Sequence, residues 1–580
     1  MSTLPELQKV DENQFLDQNW STEIRQMFYY TPQGTRVLPY DWFVSLEQPT
    51  LSIFSDPELL SHGDYLARIG FIPDTNYDPK LNPDNLPIGF ALDPDFTDPL
   101  SGAKMPMLGL TCAACHTAEL HFKKNGQTIG IRIEGGPAMT HLADFQKAVG
   151  LSVAYTYYVP GRFDRFAKRV LKTAYSKDAA KKLKTSLKNL IDAGIKQKEI
   201  NDKLKLEAVE GGFARTDALG RILNQVFGWS MNDTNPPGPI NTANLSPVDA
   251  PVNYPHIWDS SWFDWVQYNA SIHQPMIRNA GEALGVQASV NLRKEQDLYK
   301  STVQVRNLYH IEQWLAGKKP FSNGLMSPKW PVETLGQINR SKAEQGKGLY
   351  DMHCQGCHLP PMTELKKDLE SDDPKYWTKK FGPWLLHLNV INIDKIGTDR
   401  TLLDNFNSRV VKNAGVLEKT KKWIPVTEGM HMGPALGKVV ENVNNYWYDA
   451  NNIPPEEREQ MNGYRKNLIQ APWGYKARPL NGVWATAPFL HNGSVPNLYE
   501  LLSPVSERSK TFFLGSKEFD PAHVGFNTGS LSGGFKLDTS IKGSSNSGHE
   551  FNDGDRGHGI IGPKLAPEER LAIIEYLKTL

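Results

Sequence analysis

Two short motifs constrain this chain more than anything else in it. Cys112-Ala113-Ala114-Cys115-His116 and Cys354-Gln355-Gly356-Cys357-His358 use all four of its cysteines. C-x-x-C-H is the attachment pattern of c-type haem. Two thiols one helical turn apart bond the two vinyl-derived carbons of one porphyrin, and the adjacent imidazole binds iron from the proximal side. A zinc site, a redox dithiol and a structural disulfide are the competing readings. Four Cys in two C-x-x-C pairs would serve zinc, but the histidine trailing both pairs would then be coincidence. A thioredoxin-like pair follows a strand in a βαβ unit and is rarely duplicated. The motifs therefore predict two covalently bound c-type haems. Such attachment predicts a periplasmic or secreted bacterial protein, although MSTLPELQKV has no apolar signal segment.

The rest of the composition narrows the class. Lys+Arg and Asp+Glu both total 64 over 580 residues, which argues against a nucleic-acid binder acting through bulk charge. No apolar run is long enough to span a bilayer. Residues 1–60 are aromatic and Pro-rich and read as a segment wrapping a later domain. Residues 61–330 form the expected first haem domain, with inserted helices near 161–210. That insert holds fourteen Lys/Arg against seven Asp/Glu, a solvated basic face or a docking patch for an acidic redox protein. Residues 318–332 read as a linker, and 331–580 as the second haem domain. Its opening run, SKAEQGKGLYDMHCQGCH, and the terminal APEERLAIIEYLKTL suit two helices that cross in class I cytochromes c. The expected fold is mostly α: two class I cytochrome c-like units with long loops and few short strands.

With these motifs go Ile257-Trp258-Asp259 between them and Thr486-Ala487-Pro488-Phe489-Leu490-His491-Asn492-Gly493 after the second. Together they resemble the bacterial di-haem cytochrome c peroxidase superfamily, which includes the methylamine-dehydrogenase maturation enzyme. Three departures shift the resemblance toward the large di-haem oxygenases, the haem rubber oxygenases and di-haem fatty-acid dioxygenases. The motifs are 242 positions apart, the stretch 129–136 has no distal histidine, and FYYTPQGTRVLPYDWF stands near the N-terminus.

The resemblance implies roles residue by residue. Cys112, Cys115 and His116 hold the first haem, where O2 or peroxide binds, with His141 as a candidate for its other face. Cys354, Cys357 and His358 hold the second, an electron-transfer haem. Its sixth ligand is His549 or His558, with Met430 and Met432 as further candidates. Trp258 couples the two haems. Glu282 aligns with the peroxidases' acid/base glutamate, and His273 and Met276 could face the same pocket. Trp262, Phe263 and Trp265 are core residues or substrate contacts. His491 lines the haem region or serves as a hydrogen-bonding residue. The activity implied is a haem-dependent dioxygenase acting on the double bond of a hydrophobic unsaturated substrate, a fatty acid or polyisoprene. The alternatives are hydrogen-peroxide reduction with electrons from a small redox protein, or pure electron carriage. The resemblance also allows a bound Ca²⁺.

Overall fold

The computed structural model describes residues 4–50, 56–232, 240–380 and 382–580. It is 37% helix and 14% strand, a mixed content beside the expected mostly α fold. Strands lie in both halves of the chain, and the longest stand beside the first motif. Thr117–Lys124 and Gln127–Glu134 form an antiparallel hairpin. Asn125 and Gly126 both take positive φ at its tip, the two-residue turn that matches strand twist. Glu12–Phe15 adds to the hairpin in parallel, so the N-terminal segment is built into the sheet. The first motif therefore lies between strand Met107–Leu110 and this hairpin, on the single 3₁₀ turn Cys112–Ala114. The buried run Met-Leu-Gly-Leu is paired on both sides, which leaves it no freedom to form the long opening helix of a class I cytochrome c.

The second motif does end such a helix. Arg340–His353 leads into the short helix Gln355–His358 and packs across the terminal helix Pro567–Leu577. Gly346 stands at the crossing, where an added Cβ would lie 1.9 Å from the Ala572 carbonyl oxygen.

The main core runs through both expected haem units. It joins Leu16, Trp20, Ile131, Trp258, Tyr350, Trp484, Phe551 and Ile574, with Cys112 and Cys354 packed on it. A second core gathers around helices Pro275–Gly285, Val305–Ala316 and Met432–Ala450. The basic insert, Arg162–Leu171 and Lys177–Leu204, packs its apolar stripe on a third. The stretch 318–332 is no free linker. Leu325 and Trp330 are buried in the main core, and Leu325 N and Met326 N bond to Leu315 and Gln18 carbonyls. The Pro and Gly residues there shape a packed turn rather than a hinge.

Candidate haem centres

The two motif histidines are held alike. His116 Nδ1 is 2.8 Å from the Pro255 carbonyl, and His358 Nδ1 is 2.7 Å from that of Arg478. With Nδ1–H donated to a carbonyl, the lone pair resides on Nε2, the tautomer an axial ligand needs. Burial holds both imidazoles below their ordinary pKa, His116 at about 4, so both are neutral.

The carbonyl segments are themselves joined. Trp258, fully buried, donates its indole N–H to Asn481 O at 3.1 Å. Arg478 donates to the carbonyls of His256 (2.6 Å) and Trp258 (3.2 Å), and Asn481 to the Asp259 carboxylate (2.6 Å). The segment supporting His116 is thus bonded directly to the one supporting His358, with Trp258 at the joint. His256 lies against the indole with ring centres 4.3 Å apart.

His549 faces His358 with ring centres 6.1 Å apart and planes at 67°. Two imidazoles that bind one metal ion from opposite sides, each at about 2.0 Å, have ring centres about 6 Å apart. His549 Nδ1 is buried without a partner. The spacing fits a bis-histidine haem. His558 is exposed and meets Asp394 and Ile560 through its loop backbone. Positive φ at both histidines and at Gly557 and Gly559 turns the loop so that His549 points inward and His558 outward. Met430 and Met432 pack in the second core, away from His358.

The surroundings of His116 differ. His141, a candidate for that haem's other face, is engaged elsewhere. Its Nδ1 accepts from Asp144 N at 3.2 Å as a helix N-cap, and its Nε2 lies 3.3 Å from the Glu210 carboxylate. An imidazole accepting at Nδ1 carries its proton on Nε2, so the cluster His141, Asp144 and Glu210 suits a helix cap hydrogen-bonded to the Glu210 carboxylate better than a metal. Burial raises the thiols of Cys112 and Cys115, and the charge of Glu282 adds to both shifts. Glu282 accepts from Gln267 Nε2 at 3.1 Å, and burial raises its own pKa. The adjacent Arg278 pairs with buried Glu312. An apolar pocket opens beside Glu282 and Gln267, walled by Leu219, Ile222, Ile272, Phe406, Leu436 and Ile469. His273, just ahead of the Glu282 helix, approaches the Asp264 carbonyl through Nδ1 and Trp265 through its ring, with centres 5.3 Å apart. Trp262 donates to Ala316 O and Phe263 is core. Buried His491 stacks on Tyr475 at 4.0 Å.

Sequence reasoning missed Lys476 and Arg478, two positions apart and flanking the buried Ala477. Both are enclosed by protein yet keep accessible surface. Burial drives Lys476 well below its ordinary pKa, and neighbouring Arg478 and Arg278 add to this; burial lowers Arg478 to about 10. Asp264 and Asp259 offset these shifts only in part. Lys476 Nζ donates to the Gln267 carbonyl, while Arg478 Nε is buried without a partner and could meet a haem carboxylate. The signal was available in Lys-Ala-Arg just ahead of the Thr-Ala-Pro motif.

Comparison with known proteins places this segment. A family model described as RoxA-like, cytochrome c-like matches residues 474–513. The chain is 44% identical over 600 aligned positions to uncharacterized protein y4iJ of Sinorhizobium fredii (strain NBRC 101917 / NGR234), covering 100% of this chain and 95% of that one. The chain belongs to the y4iJ family. Uncharacterized protein y4iM of the same strain is 41% identical over 119 residues, 18% of this chain and 27% of y4iM. The cytochrome c-like segment implies haem binding and an oxidoreductase role. It also contains Arg478 and Asn481, which tie Trp258 to the segment behind His358, and Arg508, which bonds to His549.

Proposed function

We propose that this chain is a periplasmic or secreted di-haem c-type dioxygenase that adds O2 to a double bond of a hydrophobic unsaturated substrate. The observation that carries the reading is the apolar pocket that ends on Glu282 and Gln267. A haem held by Cys112, Cys115 and His116 would supply O2 binding and activation there. The pocket's walls are apolar, but the enclosed room of about 20 Å³ is that of a single water, so an acyl or isoprenoid chain would have to push the walls apart to enter. Burial raises the pKa of half-buried Glu282 above its ordinary value, which favours a carboxyl that can hold or donate a proton at the pocket's polar end. Trp258 joins the segments behind the two proximal histidines and provides an aromatic path between the two centres. His358 and His549 would hold the second haem between them, which would suit it to electron storage.

Glu282 also favours a second reading, peroxide reduction, because an acid beside the first haem assists O–O heterolysis. One experiment separates the two. Purified protein is recorded spectrally as isolated and reduced, then under O2 with an unsaturated fatty acid or polyisoprene in an oxygen-uptake cell. Uptake without added peroxide, together with an O2-bound spectrum on one haem, is expected. No uptake, with rapid H2O2 turnover at the expense of a reduced donor, transfers the assignment to peroxidase.

A further inference from the structure

The loop that presents His549 has an unusual support. Gly548 and His549 both take positive φ, +71° and +44°. A non-glycine residue there stores strain that its surroundings must offset. A Cβ on Gly548 would lie 2.3 Å from the Gly397 carbonyl carbon, so the loop is pressed against the 393–397 turn. Its opposite side is gripped by one side chain. Arg508, 3% exposed, donates through Nη1 to the carbonyls of Asn546 (2.6 Å) and Gly548 (2.9 Å). Through Nη2 it donates to those of His549 (2.9 Å) and Leu501 (3.2 Å), and through Nε to that of Glu500 (3.2 Å). A guanidinium has five N–H donors, and all five are used here, each on a backbone carbonyl. Three of these belong to the residues that set the direction of His549.

We infer that Arg508 is the positioning residue that holds His549 in axial position on the second haem, so that this haem's ligation and potential depend on a side chain that does not touch it. The inference rests on His549 being the sixth ligand. A guanidinium buried only for general stability would not need to spend three of its donors on one four-residue loop in a left-handed conformation. Lysine cannot substitute, because three donors on one nitrogen cannot reach five carbonyls spread over both sides of a planar fork.

The test uses the full-length holoprotein with Arg508→Lys, Arg508→Met and His549→Ala. Two haems per chain should remain in all three, because attachment uses Cys354 and Cys357. His549→Ala should make the second haem high-spin and, when reduced, reactive with CO. Arg508→Met should raise the His-detached, CO-reactive fraction of that haem roughly ten-fold or more, the scale of losing a charge-assisted bond. Its midpoint potential should rise as well, while the first haem's spectrum stays unchanged. Arg508→Lys should show the same defect in smaller degree, and it decides the matter if the Met variant does not fold. If both Arg508 variants keep the parental low-spin signal and potential while His549→Ala does not, the positioning role is overturned and the ligand stands. If His549→Ala itself leaves the second haem low-spin and unreactive, the ligand reading falls, and the inference with it.

Discussion

Trp258 shows how much a single residue carries in this chain. Its ring fills the joint between the segments supporting His116 and His358, and its one polar atom is satisfied by Asn481 O. Trp258→Phe removes the donor, leaves a buried carbonyl unpaired and opens a void beside Gly135 and Gly482. The expected cost is about 1–3 kcal/mol in chemical denaturation. Electron equilibration between the haems should also slow, and rapid mixing with a sub-stoichiometric reductant reads this out directly. A smaller residue effect concerns pH. His387 Nδ1 lies 2.6 Å from the Asp264 carboxylate, which raises the imidazole's pKa above its ordinary 6.5. A raised histidine favours the folded state fully below 6.5 and loses that contribution as pH climbs through the raised value. The ring is well exposed, so solvent screening limits the effect to a few tenths of a kcal/mol. His387→Gln should flatten the melting-temperature profile above pH 6.5 relative to the parent, with little change at high pH.

At the scale of elements, the crossing of helices Arg340–His353 and Pro567–Leu577 is the tightest contact behind the second motif. Gly346→Ala places a methyl group on a backbone oxygen that cannot move without shifting the terminal helix. We expect destabilisation by about 3 kcal/mol or more, with axial ligation lost first at the second site, measured by urea titration followed at the haem bands. This crossing was readable from sequence because it depends on local signals: Gly and Tyr at helical spacing ahead of Cys354, and Pro567 with two glutamates opening an apolar stripe. The region of the first motif was not readable in the same way. Nothing local shows that Met107–Leu110 pairs with both Leu38–Pro39 and Phe90–Asp93, since a short apolar run fits helix or strand equally and pairing decides. The motif cysteines and histidines stood out because C-x-x-C-H is a pattern carried entirely by local spacing. The choice of His549 over His558 turns on φ angles in a glycine-rich loop, and Arg508 acts through five backbone carbonyls that leave no mark on composition.

At the scale of the whole molecule, the boundary near 330 separates the two motifs in sequence but not in space. Glu119, beside the first motif, forms a buried network with Arg132, His121 and Lys517, the last from the far half of the chain. The Coulombic pull of Lys517 and Arg132 keeps the Glu119 carboxyl well below its ordinary pKa despite burial. Gln8 bridges Gly515 O and Lys517 N, Gln14 accepts from Thr334, and Arg215 donates to Ser544. The main hydrophobic core needs residues from both halves. Expressed alone, residues 1–330 would leave the buried Glu119 without Lys517 and Trp258 without Asn481. Residues 331–580 would bury Lys517 with no carboxylate, and a buried charge stripped of its partner costs about 3–5 kcal/mol. Neither half should therefore fold alone, and the full chain should unfold in one calorimetric transition rather than two. Lys517→Met tests the coupling within the intact chain. It should lower stability by a similar amount and broaden the spectra of both haems together, although Lys517 comes from the second half of the sequence and the carboxylate it serves from the first. Two separate transitions, or a 331–580 fragment that retains a low-spin haem by itself, would show that the halves are independent units and that the Glu119–Lys517 network merely decorates their interface.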